Sequence, residues 1–264
     1  MTTTSPRFFE CLRDARGVVT LTIANAGVLN IVGTPAIESL TAALAELARD
    51  PTGLRALVLT GSGERAFVGG ADIHEMARLD AANARAFIER LRGLCQAVRR
   101  FPAPVIARIQ GWCLGGGLEL AAACDLRIAS AGARFAMPEV KVGIPSVIHA
   151  ALLPRLIGSG RARWLLMTGQ TIDARRALDW GLIDILAADG AALDAEVERA
   201  VADLVACGPE VLRAQKELLN AWDEMPLAQG IALSVDAFGT AFETGEPARF
   251  MNAFIARKAA GRTD

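Results

Sequence analysis

Tyrosine is absent from this chain, and aromatic residues make up only 5% of its 264 positions. A stacking platform for nucleobases is therefore not expected. The formal net charge is -1 at pH 7, so the basic excess that marks a nucleic-acid footprint is missing. The two histidines, His74 and His149, lie too far apart in sequence to suggest a metal centre, and none is expected. Five cysteines (Cys11, Cys95, Cys113, Cys124 and Cys207) form an odd set with no C-x-x-C pair. That suits buried, reduced thiols in a cytoplasmic protein better than a disulfide framework. No segment approaches the roughly 18 uninterrupted apolar residues of a membrane span. Residues 1–17 lack the continuous apolar run of a secretory leader. G-K-[ST] is absent, which excludes a phosphate-binding P-loop, and residues 111–117 miss the G-x-G-x-x-G spacing of a dinucleotide site.

What is present is ample apolar material, 52% hydrophobic against 22% charged, enough for a sizeable core. Apolar, β-rich runs at residues 18–24, 54–60, 105–110 and 126–130 read as strands. Thr34-Pro35 offers a helix cap followed by a first-turn proline, and Ile37, Leu40, Leu44 and Leu47 continue at helical spacing to about Asp50-Pro51. Further helices are expected up to about Arg100 and from about Val147 to Leu156. Residues 165–182 resemble a helix–turn–helix capped by Thr171 or Asp173. Residues 135–145 read as irregular. From about Ala191 the pattern is helical, broken at Gly208-Pro209, Pro226 and residues 245–247. Alternating strands and helices predict an α/β core over residues 1–195, and a helical region over residues 196–264.

Residues 109–125, IQGWCLGGGLELAAACD, run from a strand through three glycines into an Ala/Leu-rich helix. Such a turn leaves backbone N–H groups free and lets a ligand approach the main chain. A second glycine-bearing loop, Val68-Gly69-Gly70-Ala71-Asp72, also follows an apolar strand. If the strands at 54–60 and 105–110 are neighbours, the N–H groups of Ala71 and Gly116 converge as an oxyanion hole. Two carboxylates are placed to serve it. Glu119 lies on a first helical turn, which favours its ionised form. Glu139 lies in an apolar loop between Pro138 and Val140, which favours its protonated form. Such a pair supplies one base and one acid. Taken one by one, the same residues also fit two plain turns, a capping Glu and a solvated Glu. Ser146 and His149 make a poor nucleophile–base pair, since no third orienting group accompanies them. His149 is expected to line a pocket, and His74 to sit on the surface. The basic residues Arg249, Arg257, Lys258 and Arg262 are a solvated face or a phosphate contact.

Together these segments resemble the enoyl-CoA hydratase/isomerase (crotonase) superfamily. The resemblance rests on ERAFVGGADIHEM (64–76), IQGWCLGGGLELAAACDLRIAS (109–130), FAMPEVKVGIP (135–145), TGQTIDARRALDWGLID (168–184) and AFIARK (253–258), and spans nearly the whole chain. It implies a crotonase-like spiral of ββα units with a C-terminal α-helical trimerisation region, and a homotrimer or a hexamer of paired trimers. It implies an acyl-CoA thioester substrate, with coenzyme A part of that substrate and no separate cofactor, and neither nucleic acid nor membrane as partner. By position, Ala71 and Gly116 become the oxyanion donors, and Glu119 and Glu139 the two catalytic glutamates of a hydratase. Gly69 and Ile73 fall beside the expected position of the coenzyme A adenine, and Gly70, Asp72, Gly115, Pro138, Gly143 and Phe254 at further expected substrate contacts. The segment at residues 25–31, NAGVLNI, lacks the arginine that the family usually carries there, and Arg65, Arg257 and Lys258 are the candidate replacements. After Gly143-Ile144-Pro145 the family often reads G-A-G-G-T-Q-R-L, whereas this chain reads SVIHAALLPRL, with His149 beside the acyl pocket. The missing tyrosine argues against branches with a catalytic Tyr, hydroxycinnamoyl-CoA hydratase-lyases among them. Alternatives to hydration are Δ3,Δ2-enoyl-CoA isomerisation and a non-catalytic binding or assembly role.

Overall fold

Strand segments come in pairs whose members enter different sheets, and this doubling builds the site. The computed structural model describes residues 7–24 and 26–260, so the expectations at Asn25 and Arg262 lie outside the described residues. In chain order the elements are β1 (Phe9–Arg13), β2 (Val18–Ile23), α1 (Thr34–Arg49), β3 (Ala56–Gly61), β4 (Ala66–Val68), α2 (Ile73–Met76), α3 (Ala81–Arg99), β5 (Val105–Ile109), β6 (Trp112–Leu114), α4 (Gly116–Ala122), β7 (Leu126–Ser130) and β8 (Arg134–Ala136). Two 3-10 turns follow, Glu139–Val142 and Ile148–Leu152. Then come α5 (Leu153–Ile157), α6 (Ser159–Thr168), β9 (Ile172–Asp173), α7 (Ala174–Trp180), β10 (Ile185–Ala187), α8 (Gly190–Ala206), α9 (Pro209–Glu224), α10 (Leu227–Ala241) and α11 (Glu246–Ala260).

The larger sheet has the order β1-β2-β3-β5-β7-β10, and the smaller β4-β6-β8-β9. Among the described residues, only the β1–β2 and β8–β9 pairs are antiparallel. Thus β3, β5 and β7 each turn a corner into β4, β6 and β8, which is the repeated strand–strand unit of the spiral. Leu57 and Leu59 of β3 enter the main core, whereas Ala56 and Val58 face the other side. Both faces are covered, which explains the near-continuous apolar runs in these strands. α8 seals the second face through Leu193, Val197 and Val201. A boundary at 195/196 falls inside this helix, and the break between α8 and α9 comes at Cys207-Gly208.

Three expectations are corrected locally. The first described turn of α1 is capped not by Thr34 but at Gly33. Thr34 instead donates its backbone N–H to Oε2 of Glu75 at 2.8 Å, and its hydroxyl to Oε1 of the same carboxylate. The segment before α3 is not one helix. It breaks after α2, and Asp80 caps a new start by accepting from the N–H groups of Ala82 and Asn83 at 2.9 and 2.8 Å. Only Cys95, Cys113 and Cys124 are buried, while Cys11 and Cys207 are exposed. Among the described residues no helix is long and apolar enough to cross a membrane, and no cluster of His, Cys, Asp and Glu has the make-up of a metal site.

Candidate active site

The loops that carry the expected oxyanion donors follow β4 and β6, not β3 and β5. β4 and β6 are parallel neighbours, with Ala66 opposite Trp112 and Val68 opposite Cys113. Their C-terminal loops therefore emerge side by side. In the first loop the Val32 N–H donates to the Gly70 carbonyl at 3.0 Å, and the Asp72 N–H to the Val32 carbonyl at 3.3 Å. Successive N–H groups of extended backbone point to opposite sides. The Ala71 N–H thus faces away from Val32, and no carbonyl among the described residues accepts it. In the second loop the Gly115 N–H is spent on the Ala136 carbonyl at 2.9 Å, while the next N–H, that of Gly116, opens α4 unpaired.

Two glycines make this turn feasible. Gly115 has φ +52°, a left-handed conformation, and a Cβ there would lie 2.5 Å from Oε1 of Glu139. Gly117 packs its Cα against Val68, where a Cβ would come within 2.8 Å of Cγ1 and collide with the carbonyl oxygen. The close packing draws α4 onto β4 and so brings the two loops together.

Ala71, Gly116, Glu119 and Glu139 line one cavity of about 710 Å³. Gly69, Gly70, Ile73, Gly115 and Pro138 line it too. Its walls are mostly apolar, built by Met76, Phe87, Ile88 and Leu91 on one side and Val142, Ile144 and Val147 on the other. The α3 wall residues escaped sequence reading because a helical stripe that faces a cavity has the same spacing as one that faces core. Several expected contacts fall elsewhere. Asp72 caps α2 by accepting from the His74 and Glu75 N–H groups at 2.8 and 3.3 Å. Gly143 closes the 3-10 turn Glu139–Val142 in a left-handed conformation. Arg65 is exposed, as are Phe254, Arg257 and Lys258 on α11, and none of the four lines the cavity. Nor does His149, which is buried with its Nδ1 unpartnered. Burial first, and the charges of Arg99 and Arg92 second, push its pKa down to about 4. It is therefore neutral at pH 7.

The two glutamates differ in setting. Glu119 is only 3% exposed. Its carboxylate accepts from the Ala150 N–H at 3.0 Å. Burial pushes its pKa up to about 8; the Ala150 N–H opposes this and the charge of Glu139 adds to it. Burial thus works against the ionised form that a first-turn position favours. A helix terminus contributes about 0.3–1 kcal/mol, whereas desolvating a carboxylate costs several. Glu139 is half-buried, and its Oε2 accepts from the Ser146 hydroxyl at 2.8 Å. Burial raises its pKa as well, countered by its own backbone N–H and by Ser146. The site therefore holds two unused N–H donors, two carboxyls that favour a proton more than usual, and an apolar recess.

A profile of the family described as enoyl-CoA hydratase/isomerase matches residues 13–261. The chain belongs to the enoyl-CoA hydratase/isomerase family. Among relatives, a short-chain-enoyl-CoA hydratase of Clostridium acetobutylicum is 34% identical over 91% of this chain and 92% of its own length. A crotonyl-CoA hydratase of Syntrophomonas wolfei is 35% identical over 80% of this chain and 81% of its own. The crystal structure of an enoyl-CoA hydratase from Bacillus anthracis superposes with a TM-score of 0.89 at 29% identity, covering 95% of this chain and 96% of that one. The crotonase fold and the family membership anticipated from the five motifs are thereby established, the C-terminal helices included.

Proposed function

We propose that the chain hydrates 2-enoyl-CoA thioesters to 3-hydroxyacyl-CoA. The observation that carries this reading is the meeting of two unused N–H groups and two carboxyls in one apolar cavity. The relatives named for short-chain enoyl-CoA and crotonyl-CoA hydration support it.

The thioester oxygen sits between the N–H groups of Ala71 and Gly116, which stabilise the negative charge it gains as an enolate; one such donor is worth about 3–4 kcal/mol. Water lies between the glutamates. Glu119 takes a proton from it as its oxygen bonds to C3. The C2–C3 π pair moves into the enolate and returns to take a proton from Glu139 at C2. The glutamates end with the proton exchanged between them, and solvent resets the pair.

This chemistry needs one ionised and one protonated carboxyl, and two neighbouring carboxyls share a single proton readily. The more deeply buried Glu119 holds it more tightly. A bound acyl chain strips solvent from the more open Glu139 and favours its protonated form, while water donating to Glu119 favours the anion. Binding thus moves the proton to the group that must deliver it.

The apolar walls take the acyl chain, Gly70 and Pro138 lie at the thioester end, and Gly69 and Ile73 neighbour the adenine of coenzyme A. Arg65, Arg257 and Lys258, exposed outside the cavity, are the candidates to meet the phosphates of coenzyme A. Leu227, Ile231, Val235, Phe238 and Phe254 leave an apolar face uncovered on α10 and α11, which supports a homotrimer or a hexamer. The free thiols suit a reducing cytoplasm. The test is a panel of short, long, branched and aromatic 2-enoyl-CoAs, following loss of the conjugated-thioester absorbance. Hydration of at least one class is expected, and no loss across the panel refutes the proposal. Δ3,Δ2-isomerisation would instead survive Glu119→Gln and fail in Glu139→Gln.

A further inference from the structure

We propose that Ser146 is a positioning residue for Glu139, holding the carboxyl so that Oε1 is the oxygen presented to the substrate. The inference rests on the hydratase reading above. The Ser146 hydroxyl donates to Oε2 at 2.8 Å. On the opposite side, Oε1 lies against the bare Cα of Gly115, close enough that a Cβ there would sit 2.5 Å away. Gly115 immediately precedes the unused N–H of Gly116. The two oxygens of Glu139 are therefore not equivalent. One is tied down by a hydroxyl, and the other is turned toward the place where the thioester carbonyl is held.

Ser146 opens the SVIHAALLPRL segment. It is not half of a nucleophile–base pair. Its donor bond is used on Glu139, and His149 is buried outside the cavity.

A donor bound to Oε2 leaves Oε1 as the oxygen that carries the transferable proton. It also favours the ionised form of Glu139. Glu119 faces it from α4, and Asp80 and Arg85, at and near the start of α3, line the same cavity. Lys141, on the same segment as Glu139, packs its Cε toward Gly169.

Two readouts separate this claim from the reading it rests on. In a Glu119→Gln background, carboxyl ¹³C NMR of glutamate-labelled protein follows Glu139 without substrate. Ser146→Ala is expected to move that titration to higher pH, and Ser146→Thr to restore it. An unmoved titration overturns the proposal whether or not the chain hydrates anything. In the otherwise unaltered enzyme, Ser146→Ala and Ser146→Gly are expected to lower kcat about tenfold by loosening the acid. KM should stay within about twofold and Ser146→Thr should recover most of the loss. Unchanged kcat, or a loss that Thr does not rescue, also overturns it. An unmutated enzyme without hydratase activity would refute the hydration reading and leave the NMR result to decide on Ser146.

Discussion

Replacing Glu119 by glutamine should stabilise the protein while disabling it. A carboxyl whose pKa rises on folding binds its proton more tightly in the folded state. Below the ordinary value of 4.5 both states are protonated and nothing is lost. Between 4.5 and about 8 the folded chain keeps a proton that the unfolded chain has released, so stability falls as pH rises, and levels off above about 8. Each pKa unit is about 1.4 kcal/mol. The full loss is of order 5 kcal/mol, and the 3% exposure of Glu119 leaves little solvent to screen it. Glutamine keeps the shape and an oxygen for the Ala150 N–H but has no charge to bury. The difference in stability between Glu119→Gln and the parent, measured by urea unfolding at fixed protein concentration, should therefore be small at pH 5. By pH 8 it should favour the variant by a few kcal/mol. A difference that does not change between the two pH values would refute the burial argument.

Other outcomes follow from the same geometry. Glu119→Gln and Glu139→Gln should each lower hydration by about 10²–10⁴-fold, with acyl-CoA binding by calorimetry little changed. Ala71→Pro deletes an N–H that no carbonyl uses, so the fold should survive in circular dichroism while kcat falls by about 10²–10³. Gly117→Ala places a methyl against Val68 and should destabilise the chain by about 1–3 kcal/mol in thermal or urea unfolding. His149→Phe should leave the pH dependence of kcat/KM unmoved, because His149 is already neutral and lines no part of the cavity.

The longer elements were legible because their physics is local. Residues 105–110 and 126–130 are apolar and β-rich, and they are strands within a residue of the expected ends. The helices of the last third stop at Gly208-Pro209 and Pro226, as their breakers require. β4, β6 and β8 were not legible. Three residues such as Ala66–Val68 have no measurable period, and they are strands only because each pairs with its neighbours in the second sheet. β1 was missed because four of its five residues are exposed, so no alternation marks it.

The same divide runs through the site. Ala71, Gly116, Glu119 and Glu139 stand out by residue type and by motif, and the fold gathers all four. Their protonation could not be read, because it depends on the segment around Ala150 closing over Glu119. His149 was misplaced for a related reason. The Ile148–Leu152 turn presents Val147 to the cavity and buries the histidine near Arg92 and Arg99. No periodicity in SVIHAALL reveals which side chain faces which way.

Whether this site adds water across an enoyl thioester is decided by turnover in ¹⁸O-enriched water of each 2-enoyl-CoA in the panel, followed by mass spectrometry of the product. For at least one of them a 3-hydroxyacyl-CoA that carries one ¹⁸O at C3 is expected. Recovery of unlabelled thioesters across the whole panel, whether unchanged or with only the double bond moved, would contradict hydration.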